Sequence, residues 1–329
     1  MRRFYPLLLS AIVLGAFSPA ANAQSKFPSS PIKVIVPYAP GGATDTVARL
    51  LGDELQGVTG QPIVVENKAG AAGIIAIEEM ARAKPDGYTL MLGNVTTNSI
   101  TPLLYKDKFK IDYEKDVTVV ARLVDVPAFV VVSTTNFPVN NMKELVEYAK
   151  KNNGKVRYGT VGVGSYPHFD GALLAKAMGV EMVNIPNKAG ASGVIKDMLT
   201  GDVQVAFLNV SSTGPLVKDG KLKAIALVNE KRLSDYPDVP TMAEVGFPNV
   251  GTLAWQGLFA PAATPKPVLE ALYKAISEAM SKPALIDKFE KRNFRMAPNK
   301  SFDEAQSWLK TETAYWKKAV ADAKITVGN

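Results

Sequence analysis

The chain contains no cysteine. Disulfides, thiol nucleophiles, thiolate metal sites and a lipidated N-terminal cysteine are therefore excluded. Histidine is almost as scarce: His168 is the one histidine in 329 residues. The acidic residues are scattered, so no catalytic metal site is expected. There is no block of Lys and Arg; the net charge is +7, and +5 without Arg2 and Arg3. That mild, interleaved excess gives no reason to expect nucleic acid. The phosphate motif G-x-x-x-x-G-K-[ST] is missing, and Pro40-Gly41-Gly42-Ala43-Thr44-Asp45 does not read as G-x-G-x-x-G. The nucleophile elbow G-x-S-x-G is missing too. Long hydrophobic runs are absent except at the start, where Phe4 to Phe17 is apolar. At ~14 residues that run is short of the ~20 that span a bilayer. It follows Met1-Arg2-Arg3 and leads to Ala21-Asn22-Ala23. Residues 1–23 read as a secretory signal peptide cut after Ala23, by the general export route, leaving the mature protein free in the periplasm.

The chain does contain a repeat. Asn67-Lys68-Ala69-Gly70-Ala71-Ala72-Gly73 returns as Asn187-Lys188-Ala189-Gly190-Ala191-Ser192-Gly193. Each copy follows a short apolar run, precedes a helix-like stretch, and is followed by a second apolar run ending in Asn, at Asn94 and at Asn209. One strand–loop–helix–strand unit therefore occurs twice. The first half reads as strands at Ile32–Pro37, Ile63–Val65 and Thr89–Leu92, with helices at Thr44–Val58 and Ile74–Ala83. Further β-rich runs are Val117–Val124, Ala128–Ser133, Arg157–Thr160 and Ala224–Val228; helical spacing covers Met142–Lys151, Phe169–Met178 and Phe302–Ala323. The alternation predicts an α/β protein of two lobes, each a mostly parallel sheet flanked by helices, with a cleft between them. Asp125-Val126-Pro127 and the stretch from Gly251 mark two crossings. They place 24–124 and 253–329 in lobe I and 125–252 in lobe II, and they are the expected hinge.

Glycine-rich loops stand where strands hand over to helices: Pro37–Asp45, Asn67–Gly73, Gly159–His168 and Asn187–Gly193. A fifth, Asn209–Gly214, follows the last strand of the second unit. Ligands of open parallel sheets gather at the carboxyl ends of the strands, where helix N-termini offer free N–H groups. Such a set is a receptor for a carboxylate or phosphate in which main-chain amides are the donors. A hydrogen bond to a charged group contributes about 1.5–3 kcal/mol, so two or three rival the roughly 8 kcal/mol of micromolar binding before association costs. Asp45 suits a helix-stabilising role, paired with Arg49 four residues on. Lys68 and Lys188 read equally as anion contacts or as solvated surface charges. Ser165 and His168 share one local loop, a poor imitation of a triad assembled from distant segments, so a polar contact near the ligand is favoured over catalysis. Trp308 and Trp316 read as packing, and Trp255 as packing rather than cleft lining.

The run Val36-Pro37-Tyr38-Ala39-Pro40-Gly41-Gly42-Ala43-Thr44-Asp45 resembles the first-loop signature of the Bug family, the periplasmic solute receptors of tripartite tricarboxylate transporters. The similarity continues through Glu66–Gly73, Lys84–Thr89, Gly162–Ser165 with His168, Gly201–Val203, Tyr236–Thr241 and Gly257–Pro261. It spans essentially the whole mature chain, in order. The resemblance implies a Venus-flytrap fold without catalysis or cofactor, and a small organic acid in the cleft. It carries ligand contacts onto Tyr38, Gly41, Gly42, Ala43 and Thr44 of the first lobe, and onto Ser165, His168, Ala189, Gly190 and Asn209 of the second, with Ala71 and Ala72 as a further pair. The family often has Asp where Asn209 stands. Implied partners are a large and a small membrane subunit that accept the loaded receptor, itself a monomer. A sensor subunit presenting the same ligand to a signalling kinase is the alternative, and a hydrolase using Ser165 a more remote one.

Overall fold

The computed structural model describes residues 27–323 and 325. The signal peptide expected over 1–23 lies outside them. No helix among the described residues is long and apolar enough to cross a membrane.

The first unit runs β1 (Ile32–Val36), α1 (Ala43–Thr59), β2 (Ile63–Asn67), α2 (Ile74–Ala81) and β3 (Thr89–Asn94). Short helices α3 (Thr101–Leu104) and α4 (Tyr113–Asp116) lead to β4 (Val117–Val126) and β5 (Ala128–Ser133). Then come α5 (Met142–Lys151), β6 (Arg157–Thr160), α6 (Tyr166–Met178), β7 (Val183–Pro186), α7 (Ala191–Thr200), β8 (Val205–Asn209), α8 (Val210–Lys218) and β9 (Leu222–Val228). The chain closes with β10 (Ala254–Pro261), α9 (Lys266–Met280), α10 (Pro283–Glu290), β11 (Arg295–Met296) and α11 (Phe302–Ala323).

Two sheets result, ordered β11-β4-β10-β3-β1-β2 and β7-β6-β8-β5-β9. β1 pairs in parallel with β2 and β3, and β6 in parallel with β7 and β8, so the repeated unit seen in the sequence folds twice in the same order. β10 is inserted antiparallel between β3 and β4, and β5 antiparallel between β8 and β9. The remaining strands of each sheet run one way except the short β11. The reversed strands β5 and β10 are those beside the crossings: the chain leaves the first sheet between Val126 and Ala128 and re-enters it at Ala254.

Local chemistry accounts for these elements. β1 is β-branched and buried on both faces, as a central parallel strand requires. α1 buries Val47, Leu51 and Leu55 at four-residue spacing and stops at Gly60, whose left-handed φ lets its N–H close onto the Gln56 carbonyl. α5 opens with a reciprocal cap: Asn141 accepts from the Glu144 amide at 2.9 Å, and the Glu144 carboxylate accepts from Asn141 Nδ2 and the Asn140 amide. Asn141→Ala is expected to lower stability by about 1 kcal/mol in chemical denaturation.

One sequence reading changes and one holds. Asn209–Gly214 is not a fifth loop: α8 begins at Val210, and its Gly214 packs so closely under Tyr236 that a Cβ would lie 2.2 Å from the hydroxyl. Tertiary packing there overrides the loop-forming composition. Trp255 is a packing residue, buried against Trp308 at 4.8 Å, and shares the Glu312 carboxylate with Trp316. α6 joins the two halves. It follows a strand of the second sheet, yet Phe169 is buried against Trp316 of α11 with ring centres 5.5 Å apart, and Tyr166 lies in the core of the first sheet.

Candidate functional site

The carboxyl ends of β1 and β3 bring one cluster together. Tyr38, two residues beyond β1, places its hydroxyl 3.1 Å from Asn94 Oδ1 and 3.0 Å from Asn94 Nδ2. Asn94 ends β3; it also donates to Thr44 Oγ1 at 3.3 Å and accepts from the Thr97 amide at 3.2 Å. Burial pushes the Tyr38 hydroxyl up to about 12, against the lowering pull of Asn94 and Thr97, so it stays a neutral donor. The first heptapeptide closes on the same cluster. Its Gly73 (φ +90°) lies against Thr97 and Pro37, with a Cβ position 2.7 Å from Thr97 Cγ2. Ala71 and Ala72 both hold the left-handed region, at φ 45° and 55°, and the Ala72 carbonyl accepts from Thr101 Oγ1. Two consecutive alanines in that region are strained, and such strain concentrates at binding sites.

The first turn of α1 separates the expected donors. The Gly41 amide is spent on Asp45 Oδ2 at 2.9 Å. The amides of Gly42, Ala43 and Thr44 have no acceptor among the described residues, so they carry the unpaired donors of the helix N-terminus. Asp45 is buried, which alone would raise its carboxyl. Arg49, the Gly41 amide and Asn67 outweigh that and hold it below the usual carboxylate range. The helix-stabilising pair read from the sequence is therefore present. Lys68 is paired with Glu66 and Glu79, at 3.0 and 2.6 Å, rather than free to meet an anion.

In the second lobe Ser165 and His168 share one turn: the His168 amide donates to the Ser165 carbonyl at 2.8 Å, but their side chains do not bond to each other. Ser165 Oγ donates to the Gly162 carbonyl at 2.7 Å, and His168 Nδ1 accepts from the Gly164 amide at 3.1 Å. Burial lowers the His168 pKa; with Nδ1 accepting, the neutral ring carries its proton on Nε2. Asn209 ends β8 and accepts from the Tyr166 hydroxyl at 2.6 Å. Ala189 and Gly190 stand apart: their amides go to the Asn187 side chain and carbonyl, at 2.9 and 3.2 Å, and no hydrogen bond ties them to the other expected residues.

The two halves meet here. Tyr105 Oη donates to the Val163 carbonyl at 3.2 Å, and the Tyr166 amide donates to Thr96 Oγ1 at 3.3 Å. The glycine loop after β6 thus lies directly against the segment after β3. Asn94, Thr96, Thr97 and Tyr166 were not among the expected site residues. Thr96 and Thr97 lie in no glycine loop, whereas Tyr166 stands inside Gly159–His168 and the Asn that ends both repeat units marks the place of Asn94.

The chain matches the model of the tripartite tricarboxylate transporter family receptor over residues 47–324. Its fold is that of solved periplasmic binding proteins with two lobes. It is similar to the periplasmic binding protein BugD (33% identity, 91% of this chain and 99% of that one, TM-score 0.81). It is similar to Rpa4515 of R. palustris with adipate (28%, 91% and 99%, TM-score 0.84). It is also similar to MatC of Rhodopseudomonas palustris with bound malate (30%, 89% and 100%, TM-score 0.80).

Proposed function

We propose a function from one established premise: the chain belongs to the tripartite tricarboxylate transporter receptor family. The protein is a periplasmic receptor that captures a small organic acid between its lobes and delivers it to the large and small membrane subunits of a secondary transporter. It acts as a monomer. One observation carries this reading: the free amides of Gly42, Ala43 and Thr44 open α1 at the carboxyl edge of one sheet, beside the Tyr38–Asn94–Thr97 cluster that adjoins the contact between the halves. Three such donors suit a carboxylate without a dedicated cation. Adipate and malate in two similar proteins support the same ligand class. The roles of Tyr38, Ala71, Ala72, Ser165, His168 and Asn209 as contacts belong to this proposal. Ala189 and Gly190 would join them only through a rearranged second heptapeptide, since their amides are already bonded.

A thermal-shift screen of ligand-free protein against small mono-, di- and aromatic acids tests the reading. A true ligand at a hundredfold excess over its Kd adds about 2.7 kcal/mol to stability. No shift with any acid would refute it. Gly42 is the sharper probe. Its φ is −78° and a Cβ there meets nothing within 4 Å, so Gly42→Val is expected to leave the thermal midpoint of the free protein nearly unchanged. The added methyls stand over the donor amides and should weaken binding roughly 10- to 100-fold, the effect of one lost charge-assisted hydrogen bond. Gly41→Val is a poorer test, because Gly41 (φ +88°) is left-handed and valine would strain the turn itself.

A further inference from the structure

The repeated unit places one tyrosine–asparagine couple in each lobe. Asn94 ends β3 and bonds Tyr38; Asn209 ends β8, the equivalent strand, and bonds Tyr166. The couples are built alike but left in different states. Asn94 is saturated, with Tyr38 and the Thr97 amide on its oxygen and Tyr38 and Thr44 on its nitrogen. Asn209 gives its Oδ1 to the Tyr166 hydroxyl at 2.6 Å, while its Nδ2 has no acceptor among the described residues. The Tyr166 hydroxyl has one proton and no other acceptor there, so it donates to Oδ1, and that bond sets which way the carboxamide faces.

We infer that Tyr166 is a positioning residue that aims the Asn209 amide protons at the ligand, so that lobe II selects acids bearing a second hydrogen-bond acceptor. This rests on the receptor reading above and specifies its ligand class. Tyr166 can do this because it is fixed from both sides: its ring is buried in the core of the first sheet, its amide is bonded to Thr96, and its hydroxyl reaches β8 of the second. Asn209 is only half-buried, which leaves its nitrogen open to a guest. A ligand with a methyl at its far end strands two amide donors away from water. A ligand with a carboxylate there satisfies them. Selection against a missing acceptor is the stronger kind, since buried donors left unpaired lose their hydration without return.

Calorimetric titration with two matched pairs, succinate against butyrate and adipate against hexanoate, tests this. In each pair only the second carboxylate is exchanged for a methyl. The wild type should prefer the diacid of the better-fitting pair by roughly 10- to 100-fold. Asn209→Leu should abolish that preference. Tyr166→Phe keeps the ring and its packing; it should cut the preference roughly tenfold and leave the monoacid within about threefold of the wild type. If Tyr166→Phe weakens mono- and diacids equally, Tyr166 merely holds the lobes together and the inference falls. A wild type that binds mono- and diacids alike overturns the inference and leaves the receptor reading standing. A wild type that binds none of the four acids overturns the inference, and the receptor reading falls with it only if the thermal-shift screen finds no acid at all.

Discussion

Trp316→Ala is expected to lower the stability of the ligand-free protein by about 3–5 kcal/mol, the cost of removing a fully buried large aromatic. Trp316 is 2% exposed, packs edge-on against Phe169 at 5.5 Å, and donates its indole N–H to Glu312 at 2.9 Å. Truncation opens a cavity and leaves Glu312 with Trp255 as its remaining indole partner. Urea denaturation followed by circular dichroism measures the loss. The Phe169 contact makes the experiment specific. Phe169 belongs to α6, which follows β6 of the second sheet, and Trp316 to α11, which packs with the first, so the ring pair is part of what seats one half on the other. A double-mutant cycle with Phe169→Ala should return a coupling of about 0.5–1.5 kcal/mol. Strictly additive effects would show that the two rings stabilise their own lobes independently, and the interlobe role would be lost.

The sequence spoke clearly where information is local. Met142–Lys151, Arg157–Thr160, Ala128–Ser133 and Phe302–Ala323 carry their periodicity and their stops within a few residues, and all four fold over those spans. The Asp45–Arg49 pair was legible because four residues on a helix is one turn. The doubled unit was legible because the second heptapeptide copies the first. What resisted reading was decided elsewhere in the chain. Nothing in Ala254–Pro261 says that it enters the sheet between β3 and β4; that follows from the crossing and from the register against Asn94 and Val126. Two-residue β11 exists only because β4 offers a free edge.

The two heptapeptides make the limit concrete. They are nearly identical, yet Ala71 and Ala72 are left-handed while Ala191 and Ser192 open α7. Asn67 reaches out to Asp45 and the Tyr38 carbonyl; Asn187 turns back over Gly193 to Asp197 and its own loop. The same seven-residue pattern is thus an integral wall of the cluster in one lobe and a self-bonded surface turn in the other. The difference lies in what packs on its last glycine: Thr97, from a distant strand end, in the first copy, and its own Asn187 in the second. A motif match transfers the shape of the loop far better than the availability of its amides, which is why Ala189 and Gly190 were expected as donors and are found bonded.

Raising the pH from 4 to 7 is expected to cost the folded protein on the order of 4 kcal/mol through one residue, Asp170. Asp170 lies in α6 with no exposed surface, and burial pushes its carboxyl up to about 7 despite hydrogen bonds from Thr252 Oγ1 at 2.7 Å and the Thr252 amide at 3.0 Å. The tyrosines that feel its charge, buried Tyr166 and largely exposed Tyr315, are both raised above the usual phenol value and stay neutral throughout this range. Because the folded pKa lies above the unfolded value of 3.8, the folded state binds the extra proton between the two. The contribution is therefore complete below about pH 4 and is lost as pH rises through 7. Asp45 and Glu79, both depressed, act in the opposite sense and withdraw their stabilisation below about pH 4, which places the optimum in mild acid. On protonation the Thr252 Oγ1 bond reverses, so that the carboxyl O–H donates to Oγ1 while its other oxygen still accepts the Thr252 amide. The carboxamide introduced by Asp170→Asn reproduces that pattern with an N–H in place of the O–H. Denaturation midpoints of this variant should accordingly stay level between pH 5 and pH 8, while those of the wild type fall. Since Thr252 sits on the segment that carries the chain back to the first lobe, the same titration bears on the joint between the lobes. Parallel pH profiles for the two proteins would mean that Asp170 is ionised in the fold at low pH and that its burial is compensated in a way the Thr252 contacts do not explain.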